Sequence, residues 1–266
     1  MAANVYFDLT RAFNEYGPIV ALASGQAVVH YRVAIMSKDG DWVIRETAEA
    51  CGRVRDILAA RGASYRPGAP LDPRWLAGGW SSHFEFSDDK QRRVRCDFFS
   101  RPPRVAPEAI ERLFAVAGDP FLVIDIESLI KMKRTQRAKD YAVIGELATR
   151  LPPEREILVT TDAERLLQLA PSYGAGVRRT SVRAARTGDR GAVVVARARE
   201  QDRHQQMERT RLDAFAAAAQ SYVEAFAQLS AEDRRLPGAH ARVAGLAEHL
   251  LPPRVDLPER SDDAAQ

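Results

Sequence analysis

Apolar and polar positions change period several times along the chain, and each change marks an element. Phe7 to Tyr16 carries apolar residues at helical spacing and stops at Gly17-Pro18, which predicts a helix. Gly25 to Tyr31 predicts a second, short helix. From Asp41 to Arg45 the period drops to two, with Trp42 and Ile44 alternating against Asp41, Val43 and Arg45, as in a strand. Thr47 to Arg61 returns to helical spacing through Cys51, Val54, Ile57 and Leu58, and Gly62 ends it. His83 to Phe86 and Arg93 to Phe99 read as strands, and the polar run Ser87 to Arg92 between them fits a hairpin connection.

Beyond residue 106 the texture becomes helical. Helices are expected over Pro107–Ala117 and Glu127–Lys133, with the apolar run Phe121 to Asp125 between them as a short strand. Lys139 to Leu151 makes an amphipathic helix stopped by Pro152-Pro153. From about residue 172 an arginine-rich stretch leads into an alanine-rich helix. Its packing stripe is Phe215, Ala218, Tyr222, Phe226 and Leu229. A polar tail begins at Pro252, and no internal repeat is visible. These elements predict an α+β fold: a mixed sheet with flanking helices over 1–150, a mainly helical region over 151–255, and a disordered tail over 256–266.

Bulk composition narrows the function classes only a little. A chain of 266 residues can bury one generous core or two small ones. Its 45% hydrophobic and 28% charged residues are ordinary for a folded protein, and a net charge of +3 neither demands nor excludes a nucleic acid. Cys51 and Cys96 are the only cysteines and lie in no metal or redox spacing, which fits a reducing compartment. The N-terminus has no basic segment followed by an apolar one. The longest apolar stretch, Pro18 to Val29, is broken by Ser24, Gly25 and Gln26, short of the roughly 20 residues a spanning helix needs. A cytoplasmic protein with no membrane partner is expected.

The chemistry is concentrated in two places. Asp39 and Asp41 enter the first predicted strand two residues apart, so both carboxylates point to one face. In the strand Arg93–Phe99, Val94, Cys96 and Phe98 share the apolar side, leaving Arg95, Asp97 and Phe99 on the other. If the two strands are neighbours, three carboxylates converge. Hard oxygen donors of this kind suit Mg2+ and phosphoryl transfer. The short helix opening near Gly25 offers backbone amides, with the Ser24 hydroxyl, to a phosphate.

These residues carry a resemblance. Ser24-Gly25-Gln26-Ala27-Val28-Val29, followed after eight residues by Lys38-Asp39-Gly40-Asp41-Trp42-Val43-Ile44, resembles the entry motif of nucleotidyltransferase-fold proteins. The helix Lys131 to Tyr141 looks like a Lys/Arg signature of bacterial members related to abortive-infection and toxin nucleotidyltransferases. The resemblance covers about residues 20–150. It implies that Asp39, Asp41 and Asp97 hold magnesium, with Asp97 as ligand or general base. It also implies that Ser24, Gly25, Lys133 and Arg137 contact the nucleotide. The implied reaction moves a nucleoside monophosphate from an NTP to a hydroxyl acceptor, an RNA or protein among the options. Departures are Ser24 in place of the first glycine of the usual pair, Arg32 where a glycine is frequent, Ile35 where an arginine is frequent, and Gly40 where an apolar strand residue is usual.

Plainer readings stand beside these. Asp39-Gly40-Asp41 is also a hairpin-turn signal. Asp140 has Arg137 within reach for an ion pair, Glu85 reads as a surface residue sharing a strand face with His83, and the five histidines show no ligand spacing. The stretch Arg178 to Arg203 suits RNA phosphates or simply a charged surface, and no aromatic RNA-binding motif accompanies it.

Overall fold

The computed structural model describes residues 4–115 and 119–257. The first elements are α1 (Val5–Phe13), β1 (Val20–Ala23), α2 (Ser24–His30), β2 (Gly40–Ile44), α3 (Ala48–Ala59), β3 (Ser64–Tyr65), α4 (Pro73–Ala77), β4 (Ser82–Ser87) and β5 (Arg93–Phe99). Helices follow: α5 (Pro107–Phe114), α6 (Ile126–Lys133), α7 (Lys139–Ala148), α8 (Pro153–Val159), α9 (Ala163–Tyr173), α10 (Thr180–Ala185), α11 (Arg190–Ala227) and α12 (Ala239–Leu250). The fold is α+β, as its periodicities predict. Two compact units divide the chain, one of 1–125 with 214–255, the other centred on 126–213.

The first unit is built on a five-stranded mixed sheet of order β1-β2-β5-β4-β3, in which only β2 and β5 run parallel. Several of its helices start where a short polar side chain takes up a free amide. Asn4 caps α1 through Tyr6 N, and Thr47 caps α3 through Ala50 N at 3.1 Å. One sheet face is apolar. Trp42 stacks on Phe98 with ring centroids 5.2 Å apart, Phe13 of α1 meets both edge-on, and Val54 and Leu58 of α3 belong to the same core. The buried Trp42 Nε1 donates to Thr10 Oγ1 at 2.9 Å, so its one polar atom is satisfied.

The stripe on α11 packs as expected. Tyr222 and Phe226 are fully buried in the core of the first unit, with Phe215, Ala218 and Leu229 against it. Tyr222 Oη donates to Gly68 O, and Phe215 meets Trp80 edge-on at 4.8 Å. This stripe accounts for residues 214–255 joining 1–125 in the first unit.

Two expectations are corrected. Phe121–Asp125 is not a strand: Leu22 alone bridges to Val123, through Leu22 N to Leu122 O and Ile124 N to Leu22 O. The helix α7 ends before Pro152-Pro153 as expected, and Pro153 also opens α8, since proline suits a first helical position. Pro252 is docked and not loose, its carbonyl accepting from Trp80 Nε1 at 2.8 Å. The residues expected to end the Pro107–Ala117 helix, and most of the tail from 258 on, lie outside the described residues.

The second unit is helical. Ile157, Leu166, Leu169, Val182 and Val193 form its core. Arg165 makes two hydrogen bonds to the buried Glu156, at 2.8 and 2.6 Å. Among the described residues, no helix is long and apolar enough to cross a membrane.

Candidate functional site

The register of the sheet decides which predicted residues meet. Asp41 is the direct partner of Asp97 across the parallel β2–β5 pair, and His83 is the partner of Asp97 across β5–β4. Ala23, the last residue of β1, partners Asp41 on the other side. Arg66 continues the row, its amide donating to His83 O at 2.9 Å. One transverse row therefore reads Ala23, Asp41, Asp97, His83, Arg66, on the sheet face opposite Trp42 and Phe98. Two residues along the strands, a second row places Asp39 beside Arg95 and Arg95 opposite Glu85.

Alternation puts all these side chains on one side, with neighbouring strands about 4.8 Å apart. The face is partly open: side chains of Asp97, His83, Arg66 and Arg95 are 20–30% exposed. Carboxylates and cations interleave across it. Asp97 Oδ1 lies 2.8 Å from His83 Nδ1 and accepts from Arg66 Nη1 at 3.2 Å. Arg66 Nε lies 3.8 Å from Glu85, and Arg95 Nη1 lies 3.6 Å from Asp39 Oδ1.

Close packing fixes the approach to this face. Ser24 opens α2 with φ +48°, in the left-handed region that a glycine adopts without strain. That is the position where the resembling motif has its first glycine. A Cβ on Gly25 would stand 2.2 Å from Ser37 Oγ, so the first turn of α2 lies directly on the segment leading to Asp39. Gly40 is the clearest case. Its Cβ would fall 2.4 Å from the rings of both Trp42 and Tyr6. The glycine between the two aspartates thus lets the apolar side close while the carboxylates face the other way. Tyr6 Oη donates to Lys38 O at 2.6 Å, fixing the residue before Asp39, and burial pushes that hydroxyl's pKa up to about 12.

The structure thus gathers Ser24, Gly25, Asp39, Asp41 and Asp97 in one part of the first unit. Lys133 and Arg137 belong to the second, where both serve Asp140. Lys133 Nζ is 3.7 Å from Asp140 Oδ1, and Arg137 Nε donates to Oδ2 at 2.9 Å. Arg137 precedes α7 and does not share its helix with Asp140. The site residues that sequence reasoning did not assign are Arg66, His83 and Arg95. Arg95 was legible from its alternation with Asp97, but Arg66 and His83 reach the site only through register.

The donor set can be tested against magnesium. Among the described residues, no three His, Cys, Asp or Glu side chains could together hold a metal ion. As a pair, Asp39 and Asp41 suit an ion that takes one or two carboxylates and completes its shell with water and phosphate. Asp39 Oδ1 is buried and makes no hydrogen bond among the described residues, a condition that a cation would relieve.

In the arginine-rich stretch, Arg179 bonds Ile157 O, Thr160 O and Glu200, and Arg197 bonds Thr161 O. Arg178, Arg183, Arg186 and Arg199 are exposed.

No family model matches the chain, and no curated protein matches its sequence. Two solved structures from Helicobacter pylori are similar in fold. A protein described as a "putative nucleotidyltransferase" is 14% identical, with a TM-score of 0.40, over 77% of this chain and 95% of its own. JHP933 is 13% identical, with a TM-score of 0.39, over 80% of this chain and 96% of its own.

Proposed function

We propose that this chain is a magnesium-dependent nucleotidyltransferase that moves a nucleoside monophosphate from an NTP to a hydroxyl acceptor. The observation that carries the reading is the cross-strand pairing of Asp41 with Asp97, with Asp39 one pleat along on the same face. Asp39 and Asp41 would hold the metal, which would supply charge neutralisation at the phosphates. Ser24 and Gly25, at the start of α2 beside Asp41, contact the phosphates through hydroxyl and backbone amide.

Asp97 orients the acceptor hydroxyl or takes its proton, while Arg66 and His83 hold the carboxylate in place. The acceptor oxygen bonds to the α-phosphorus, the bond from that phosphorus to the bridging oxygen breaks, and pyrophosphate leaves with the electron pair. Lys133 and Arg137, which the family resemblance implies at the nucleotide, each pair with Asp140. An RNA or a protein side chain serves as acceptor as well as a small molecule does, and a cytoplasmic setting fits an NTP substrate.

Replacing Asp41 by Asn removes one charge and little volume. It should abolish transfer and leave the circular dichroism spectrum unchanged; full activity in D41N would remove the proposed site. One observation favours a second reading, a non-catalytic nucleotide-binding module: Asp39 and Asp97 each already face a cation. Nucleotide binding without turnover would select it.

A further inference from the structure

We propose that Arg66 and Arg95 form a binding site for a polyphosphate chain, a proposal that rests on the nucleotidyltransferase reading. Both arginines share a sheet face with Asp39, Asp41 and Asp97.

Both arginines are placed firmly and bonded loosely. Arg95 stands between Asp39 and Glu85 in its row, and Arg66 ends the row of Asp41, Asp97 and His83. Each side chain is more than two-thirds buried, so each guanidinium is confined to this face. A guanidinium carries five N–H donors. Arg66 directs one of them, on Nη1, to Asp97 at 3.2 Å, while its Nε stands 3.8 Å from Glu85. Arg95 Nη1 stands 3.6 Å from Asp39, beyond hydrogen-bonding distance.

The decisive atom is Arg95 Nε, which is buried and makes no hydrogen bond among the described residues. Buried donors are nearly always paired, so this one points to an acceptor that enters beside it. A phosphate oxygen accepts from Nε and Nη together in the forked geometry guanidinium groups favour. A chain of linked phosphates offers oxygens in series to two guanidinium groups on one face. Arg93 is a built-in control: on the same strand and face, but 62% exposed and 3.9 Å from Glu85.

The test is calorimetric binding of inorganic tripolyphosphate and of an α,β-methylene NTP to the full chain, with and without Mg2+. Wild type should bind both. R66Q and R95Q should each weaken binding at least about tenfold, R95K should recover part of it, and R93Q should change it by less than about twofold. Absence of tripolyphosphate binding by wild type, full binding by R66Q and R95Q, or equal loss in R93Q would overturn the proposal.

Should a variant fail to fold, phenylglyoxal labelling of wild type read by peptide mass spectrometry decides. Tripolyphosphate must protect Arg66 and Arg95 more than Arg93, and equal labelling counts against the site. The two readings fail separately. Polyphosphate binding through these arginines without nucleotidyl transfer removes the reaction alone. Transfer with unchanged KM in R66Q and R95Q removes the arginine site alone.

Discussion

Gly40 and Ser24 show how single residues set the site. Gly40 carries no side chain because the rings of Tyr6 and Trp42 occupy the space of a Cβ. Gly40→Ala should therefore destabilise the first unit by about 1–3 kcal/mol, as overpacking does, read as a lower denaturation midpoint with an unchanged slope. An unchanged midpoint would mean that the rings are not confined there. Ser24 sits at φ +48°, so Ser24→Gly should be neutral or stabilising by up to about 1 kcal/mol, and Ser24→Val destabilising. Read from sequence, Gly40 is a departure, standing where an apolar strand residue is usual. Its reason lies in a ring from α1, 34 positions earlier in the chain, a distance that no local pattern spans. Period-two alternation made the faces of Asp39, Asp41 and Asp97 legible strand by strand, while the pairing of Asp41 with Asp97 needed the register of the sheet.

Elements are joined by polar contacts that titrate. Arg55 Nη1 lies 2.7 Å from His240 Nε2, and His240 Nδ1 lies 2.9 Å from Tyr65 Oη, linking α3, α12 and β3. With a guanidinium donating to Nε2, the imidazole is neutral and Nδ1 carries the proton. Burial, and next the charge of Arg55, lower its pKa from 6.5 to about 4. The unfolded chain thus binds this proton more readily. The stabilisation is complete above about pH 6.5 and is lost as pH falls towards 4, at no more than about 1.4 kcal/mol per pH unit. Urea midpoints should fall across that window in wild type and stay flatter in His240→Gln; identical slopes would contradict the assignment. Glu46, held low mainly by its hydrogen bond to Arg101, adds stability above its ordinary pKa that is lost at lower pH, as it protonates.

In the second unit, Asp140→Ala would leave Lys133 with a buried charge and less to offset it. It should cost about 3–5 kcal/mol, whereas Arg137→Ala, at a half-exposed pair, should cost less than about 1 kcal/mol. Equal effects would mean that burial does not separate the two cations. Helical and strand periods gave most of these elements within a few residues. Phe121–Asp125 misled because apolar composition cannot tell a ladder from a single bridge, and β3 was too short to leave a period.

At the scale of the whole molecule, the chain closes its first unit with a helix more than 100 residues beyond the sheet. The stripe of α11 was visible in the sequence, but its destination was not, since a stripe declares a buried face and not its partner. The register of the sheet, which no local pattern declares, is what brings Arg66 and His83 beside Asp97. The central claim is that the face bearing Asp39, Asp41 and Asp97 transfers nucleotides. The most direct measurement is Mg2+-dependent transfer from α-labelled NTPs into a cell extract, comparing wild type with the double variant Asp39→Asn/Asp41→Asn. The account predicts label in a macromolecule or small molecule with wild type alone. Equal labelling by the double variant, or none by wild type with any NTP, would contradict it.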